Sequence, residues 1–388
     1  MSSSVLQFSA QQLGPKAGYV QTPRFAILLN GVPVQWPLSV SVTSNNYSEA
    51  SRFACSFAIG QDDANNLSGM ASIPVDIQVS LAANEPATLI SGITDNIEID
   101  PITLHATLSG RDYAALLIDT MTQQTYSNMT ASQVIEALVA EHSAEGLKGN
   151  ITATSELVGR FYGGTDYSMT FYGQLYRATN EWDLALMLAQ ASGFDLRLGG
   201  PTASGAVIDA KTLYFGPPVP QESILFDVAI EYPANGGSPI SNAEHLRFMR
   251  SLTLAKDVEV TAIGWNSALM KPLTSTITAR NVLAPSGGNG PPQKYVVRVP
   301  GDATPEQVLQ YAQAKIREIT AFERVIEIKV PGELALTPAN PVRLVGSGTQ
   351  FDQTYFIDEI VRTLSFSGGF HETVRLKNHS PYNQTIVQ

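Results

Sequence analysis

The sequence predicts an α+β fold that is mostly β, in which two antiparallel β regions flank a helical or mixed insertion. Three observations predict it. Short runs with alternating apolar residues fill the first and last thirds of the 388 residues, and a period of two marks strands buried on one face. Two stretches with helical periodicity and capping residues occupy the middle. The composition, 44% hydrophobic and 15% charged, suits folded domains with substantial cores rather than a disordered chain. The expected division is 1–118, a first β domain; 119–243, the insertion; and 244–388, a second β domain carrying one helix at about 304–321.

In the first domain Phe25, Ile27 and Leu29 alternate, Asn30-Gly31 follows, and Val32, Val34 and Trp36 resume the alternation. Asn-Gly between such runs predicts a two-residue hairpin turn, because both turn positions need positive φ. Leu38, Val40 and Val42 form the next run, then Phe53, Cys55, Phe57 and Ile59, then Val75 to Leu81, Ile93 to Ile99, and Leu104 to Leu108. Several short strands at this spacing predict an antiparallel barrel or sandwich.

In the insertion, Thr130-Ala-Ser-Gln133 is a capping box, in which side chains at both ends of the first turn satisfy free backbone donors. The helix it opens carries Val134, Ile135, Leu138 and Val139 on one face. A second helix starts near Asn180 and runs through Trp182, Ala185, Leu188 and Ala189, with Gly193 just past its end. It is apolar nearly all round, which predicts burial. Phe161 to Phe171 reads as loop and strand, and 199–206 and 233–242, rich in Gly, Pro, Ser and Asn, read as loops.

Strands are predicted in the last third at 258–265, 274–278, 294–299, 324–330, 342–345, 355–364 and 370–377, with a flexible loop at Pro285–Pro292. Thr304, Pro305 and Gln307 supply the cap, first residue and capping box of a helix whose apolar face is Leu309, Ala312, Ile316 and Ile319. Ile93-Thr-Asp95-Asn-Ile97 is echoed by Phe356-Ile-Asp358-Glu-Ile360, a hint of a duplicated β unit.

The formal net charge is −11 and the sequence pI is near 4.9. A global basic footprint for nucleic acid is therefore excluded, whereas an acidic surface that DNA passes without sticking fits. One cysteine, Cys55, excludes an internal disulfide. Met1-Ser-Ser-Ser4 lacks the basic and apolar regions of a signal peptide. No apolar run reaches the about 18 residues of a membrane span, so synthesis and folding in a cytoplasm are expected.

No catalytic, cofactor-binding or metal-binding residue is assigned, and no cofactor is expected. The histidines, His105, His142, His245, His371 and His379, form no metal-ligand pattern, and no nucleophile elbow or phosphate loop is present; Gly287-Gly-Asn-Gly290 lacks the lysine and helix of one. His142 after Glu141 has the residue type of a general base, but a cation near a helix C-terminus is favourable without catalysis. His371 and Glu372, adjacent in a strand, face opposite sides. Cys55 reads as a small buried hydrophobe. Trp182 and Phe161, Tyr162, Tyr167, Phe171 and Tyr172 read as packing for the insertion rather than as stacking sites for sugars or bases. Asn96, Glu98 and Asp100 share one strand face; without a calcium-loop pattern they read as a solvated or lumen-facing acidic face.

At Leu108-Ser-Gly-Arg-Asp-Tyr-Ala-Ala-Leu-Leu-Ile-Asp119 the sequence resembles the late control protein D family, the baseplate hubs of contractile-tailed phages, themselves similar to the N-terminal region of VgrG spike proteins of type VI secretion. The family pattern there is a strand ending in Gly-Arg-Asp before a short helix. Gly110, Arg111 and Asp112 stand in those positions, with Gly110 expected to permit the turn and Asp112 to cap the helix. The resemblance continues in order through Thr130–His142, Asn180–Phe194, Leu213-Tyr-Phe-Gly216, Val342–Gly346, Tyr355–Asp358 and Ser367–Phe370, covering roughly 20–378.

This resemblance implies two tail-tube-like antiparallel β-barrel domains per chain, and a homotrimer whose pseudo-sixfold ring joins a threefold spike to the sixfold tail tube. The ring would line the channel for tape measure protein and DNA, with DNA passing without specific binding. Implied partners are the central spike protein, the tail tube protein, the tape measure protein and baseplate wedge proteins, and the implied place is the virion tail baseplate, assembled in the host cytoplasm. Because the chain ends at Gln388, soon after the second β region, the spike and any hydrolase are expected as separate chains. Two other readings compete: a receptor- or carbohydrate-binding tail protein, which needs exposed aromatic loops, and a tail-associated peptidoglycan hydrolase, which needs a paired acid and base. If Asn96, Glu98 and Asp100 face the lumen, their replacement by lysine is expected to leave assembly intact and slow DNA ejection.

Overall fold

The structure, a computed structural model, describes residues 11–12, 22–45, 49–81, 86–121, 126, 129–155, 157–158, 180–204, 206–217, 226–254, 257–266, 269–279, 291–302 and 304–378. The aromatic stretch Phe161–Tyr172, the glycine-rich loop 287–290 and His379 fall outside them.

After a two-residue strand β1 (Gln11–Gln12), the first region runs β2 (Pro23–Leu29), β3 (Val32–Pro33), β4 (Pro37–Asn45), β5 (Arg52–Ala58), α1 (Gln61–Ser68), β6 (Pro74–Leu81), β7 (Ala87–Asp100) and β8 (His105–Asp112). Asn30 and Gly31 close the β2–β3 hairpin with φ of 51° and 78°, as the Asn-Gly signal requires. Alternate residues point inward, so Val40, Val42, Phe53, Cys55, Phe57, Val75, Ile77, Val79 and Leu108 fill one core. Trp36 is 67% exposed and is not part of that alternation. The sequence signals missed α1 because its only buried residue is Leu67, which leaves no periodicity to read.

The insertion runs α2 (Ala114–Asp119), β9 (Met129–Thr130), α3 (Ala131–Glu141), β10 (Lys148–Ile151), β11 (Leu157–Val158), α4 (Glu181–Ser192), β12 (Asp195–Pro201) and β13 (Val207–Gly216). Thr130 and Gln133 form the expected reciprocal capping box on α3. Val134, Ile135 and Leu138 of α3 meet Trp182, Ala185 and Leu188 of α4 and Leu213 and Phe215 of β13 in a second core. The stretch 199–206, expected as a loop, instead ends β12 with a register irregularity at Leu198–Gly200 and then turns.

The last region runs β14 (Phe226–Glu231), β15 (Ile240–Ser241), β16 (His245–Arg250), β17 (Val258–Asn266), β18 (Lys271–Thr278), β19 (Gln293–Asp302), α5 (Pro305–Thr320), β20 (Arg324–Pro331), β21 (Pro341–Val345), β22 (Thr354–Ser365) and β23 (Gly369–Lys377). Phe226 and Val228 of β14 pack with Ile326, Ile328, Tyr355, Ile360 and Val374. Grouped by core, the second β unit therefore begins at β14 rather than at residue 244. A fourth core joins α5 to a separate sheet, β18-β17-β19, through Val258, Val260, Ala262, Val308, Ala312 and Ile316. Val308 takes the buried place expected of Leu309, which is 39% exposed, while Ala312, Ile316 and Ile319 face the core as expected.

The two β regions share one sheet of 15 strands rather than forming two sheets. Within it they repeat one another. The first region has the neighbour order β4-β5-β8-β7-β6-β2, and the second has β16-β20-β23-β22-β21-β14. Chain order runs the same way through both sets, with β17–β19 and α5 inserted after β16. From β4 to β6 and from β16 to β21 the pairings are antiparallel and alike in register, but β2 joins β6 antiparallel whereas β14 joins β21 parallel, so the second region is not wholly antiparallel as expected. A bulge in β7 leaves Asp95 unpaired between Thr94 and Asn96, and one in β22 leaves Asp358 unpaired between Ile357 and Glu359. These are the central residues of the sequence echo. β6 and β21 both start at a proline, opposite Ile93 and Phe356 respectively. A further difference joins the repeats: beyond its bulge, β22 pairs with β4, from Glu359–Asn45 to Ser365–Ser39.

Candidate functional site

The Gly-Arg-Asp segment ends β8, where the first β unit passes into the insertion. Gly110 is not a turn residue, contrary to the expectation from sequence: it lies within the strand opposite Thr94 on β7 and Phe53 on β5. Its need for glycine is close approach. A Cβ there would stand 2.1 Å from the Ile93 carbonyl oxygen and 2.8 Å from the Phe53 ring. Gly92 on β7 is the same case, with the Arg111 carbonyl oxygen 2.3 Å away and the Phe53 ring 2.8 Å away. Phe53 thus lies over two glycines on neighbouring strands, and no side chain fits between.

Arg111 points to the opposite face, where it joins three elements. Its Nε and Nη2 donate to Asp95 at 2.7 Å each, and its Nη1 and Nη2 donate to Asp119 at the end of α2 at 3.0 and 2.8 Å. Two bidentate pairs on one guanidinium use the fork that lysine lacks. The bulge places Asp95 there, since the extra residue re-aims a side chain. Hydrogen bonds to Asp95 and then Asp119 hold the guanidinium further above its ordinary value.

Asp112 is buried. Its Oδ2 accepts from the Ser51 amide at 2.9 Å and its Oδ1 from the Ala114 amide at 3.1 Å. It sits one residue ahead of the α2 cap, Tyr113, so it orients the helix entry instead of capping it in the expected place. Burial pushes its carboxyl up to about 6, against the two amide bonds.

Asn96, Glu98 and Asp100 are exposed on one face of β7, alternating with Ile97 and Ile99, which pack on the first core. Across β8, β5 and β4 the same face carries Ser109, Thr107, Ser56, Ser41 and Ser39, with His105 opposite Asp100 at one end and Arg111 and Arg52 at the other. Asp100 also accepts from the amides of Ile102 at 2.8 Å and Thr103 at 3.2 Å, tying down the β7–β8 turn. Hydrogen bonds from Thr103 lead the causes that lower its pKa. The structure thus brings Arg111 and Asp112 to the α2 junction and leaves Asn96, Glu98 and Asp100 as a separate row.

Away from this strand end, His142 is buried against Glu181, Nε2 to Oε2 2.7 Å, which ties the end of α3 to the start of α4. Burial raises the Glu181 carboxyl, opposed by the His142 bond. His371 and Glu372 face opposite ways, as adjacent strand residues must: His371 Nδ1 is 3.3 Å from Glu244, and Glu372 is buried against Arg362 at 2.7 Å. Cys55 is buried, which pushes its thiol to about 12. Trp182 packs inside the insertion. Among the described residues no cluster of His, Cys, Asp or Glu is arranged to hold a metal ion, and no helix is long and apolar enough to cross a membrane. Reading by sequence missed Gly92, Phe53, Ser51, Asp95, Asp119 and Glu181; only Asp95 had a signal, as the centre of the echoed motif.

No protein-family model matches the sequence, and no curated protein matches it. Solved structures do match in fold. The 43 kDa tail protein of prophage MuSo2 from Shewanella oneidensis is similar at a TM-score of 0.62 and 14% identity, over 93% of this chain and 99% of that one. A tail protein from Neisseria meningitidis MC58 is similar at 0.59 and 13%, over 92% and 96%. A chain of the Francisella PdpA-VgrG complex is similar at 0.54 and 10%, over 92% of this chain and 58% of that one. The chain has the fold of these tail and VgrG-type proteins.

Proposed function

We propose that this chain, built on the fold of phage tail proteins, is the structural baseplate hub of a phage or phage-like tail. The observation that carries the reading is the duplication: one chain holds two six-stranded units of the same strand order, paired alike over five of the six strands and joined edge to edge in one sheet. Three such chains bring six equivalent units, which is what a ring needs to meet a threefold spike on one side and a sixfold tube on the other. Central spike, tail tube, tape measure and wedge proteins are the partners this reading assigns, and a virion tail baseplate is its place.

On this reading the face of β4, β5, β8 and β7 that carries Ser39, Ser41, Ser56, Thr107 and Ser109 beside the row Asn96, Glu98, Asp100 belongs to the channel wall. Acidic groups there would repel a passing DNA strand within a Debye length of about 8 Å at physiological salt. The role is structural, and no residue is assigned a catalytic task.

Light scattering on the purified chain, alone and with its candidate spike partner, tests the hub. A mass of three 41.7 kDa chains in either condition is expected; a monomer in both would sink the reading.

A further inference from the structure

The junction inside the chain carries information about a second junction. β22 uses its edge twice: up to its bulge it pairs with β21, and beyond the bulge it takes β4 of the other unit. In the first unit β7 pairs with β6 up to Ile93, but beyond its bulge, from Asn96 to Asp100, its only strand partner among the described residues is β8. The equivalent of β4 in the second unit is β16, whose only strand partner among the described residues is β20. Each unit therefore carries both halves of the joint, and one half of each is used internally.

We propose that β16 of one chain adds, antiparallel, to residues 96–100 of β7 in a second copy, repeating between chains the joint that β4 and β22 make within one. The inference rests on the hub reading and specifies its contact. Carrying the β4–β22 register across places Asp100 opposite Arg247, Ile99 opposite Phe248, Glu98 opposite Met249 and Ile97 opposite Arg250. Two of these four pairs match in chemistry. Asp100, an exposed acid, meets Arg247, an exposed base, with Glu98 diagonal to it on the same sheet face. Ile99 and Phe248, half-buried on the core faces, meet as an apolar pair. Opposite charges and apolar pairs set directly across a ladder stabilise it, and strand addition at a free edge supplies the main-chain bonds. Because the two surfaces differ, the contact is head-to-tail and builds a ring when its rotation closes.

Cysteine pairs test this in the full chain, whose one native thiol, Cys55, is buried. Directly opposed residues bring Cα atoms to about 4.5–5.5 Å, within the span of a disulfide. Glu98→Cys with Met249→Cys is expected to give covalent multimers on oxidation, while either single variant gives none. Glu98→Cys with His245→Cys, out of register by about 13 Å, is expected to give none. Arg247→Glu is expected to lose the oligomer in light scattering, and adding Asp100→Lys to restore it. Asp100→Lys alone then weakens assembly, unlike a residue that only lines a lumen. An oligomer that forms while the opposed cysteines stay unlinked overturns this pairing and leaves the hub standing. A wild-type chain that is monomeric with and without the spike partner removes both.

Discussion

The two β units share one hydrogen-bond grid over five of their six strands and fill it with different side chains. Where the first has Phe53 over Gly92 and Gly110, the corresponding positions of the second hold Ile326, Tyr355 and Leu376, all buried. One large ring and two glycines occupy the layer that three medium or large side chains fill in the other. Where the first has Ile99 opposite Ala106, the second buries Arg362 against Glu372. Two things persist: the bulged aspartate, and its cationic partner across the hairpin, Arg111 for Asp95 and Lys377 for Asp358. The comparison teaches that backbone pairing and the bulge define the unit, whereas apolar volume is redistributed freely within each layer.

Exchanging residues between the units breaks or sharpens this comparison. The largest effect is expected from Gly110→Val. No rotamer can relieve a Cβ set against a carbonyl oxygen, so the β7–β8 pair must separate, at more than about 3 kcal/mol. Loss of soluble protein or of the thermal transition would register it; a native-like Tm would show that Phe53 and β7 yield easily. Next comes Arg362→Ile, which leaves Glu372 buried without its partner and is expected to cost about 3–5 kcal/mol by chemical denaturation. Adding Glu372→Ala transplants the pair of the first unit and is expected to recover most of that loss. A double variant no better than the single would mean the ion pair is bound to its site.

A smaller effect concerns Asp112. Its carboxyl is raised in the fold, so the stability linked to its proton is present at low pH and lost as pH rises through about 6. Asp112→Asn is expected to flatten the fall of Tm between about pH 4 and 6, at a constant cost of about 1 kcal/mol for a weakened amide bond. Burial raises Glu181 and Glu372 in the same direction, so some slope should remain. The smallest effects are expected from Asp95→Asn and Asp358→Asn. Each loosens a partly exposed ion pair worth about 0.2–1 kcal/mol and sensitive to salt; equal losses would support their equivalence.

Much of the architecture was legible in the sequence because the period of two and the capping residues are local signals. Asn30-Gly31, the Thr130–Gln133 box and the helix ending at Gly193 each depend on a few neighbouring residues, and the structure has them where those residues stand. Leu309 was misplaced because two adjacent apolar residues, Val308 and Leu309, allow the α5 stripe to be drawn one residue either way; packing against β17 decided it. At the Gly-Arg-Asp segment the motif was visible, but the role of Gly110 was misread, since the carbonyl and ring that exclude a side chain come from residues 17 and 57 positions earlier.

By itself the sequence determined many of the strands and the capped helices, though not α1 or β16, together with the acidic balance and the five-residue echo, all properties of neighbours along the chain. Only the tertiary structure decided that the echo marks a duplicated sheet, that β4 crosses to β22, and that Asp95, Arg111 and Asp119 meet. Those facts depend on which edges pair, and an edge is a row of backbone groups that are nearly the same for every sequence. Its partner is chosen by the packing of whole strands rather than by any residue that could be read in isolation.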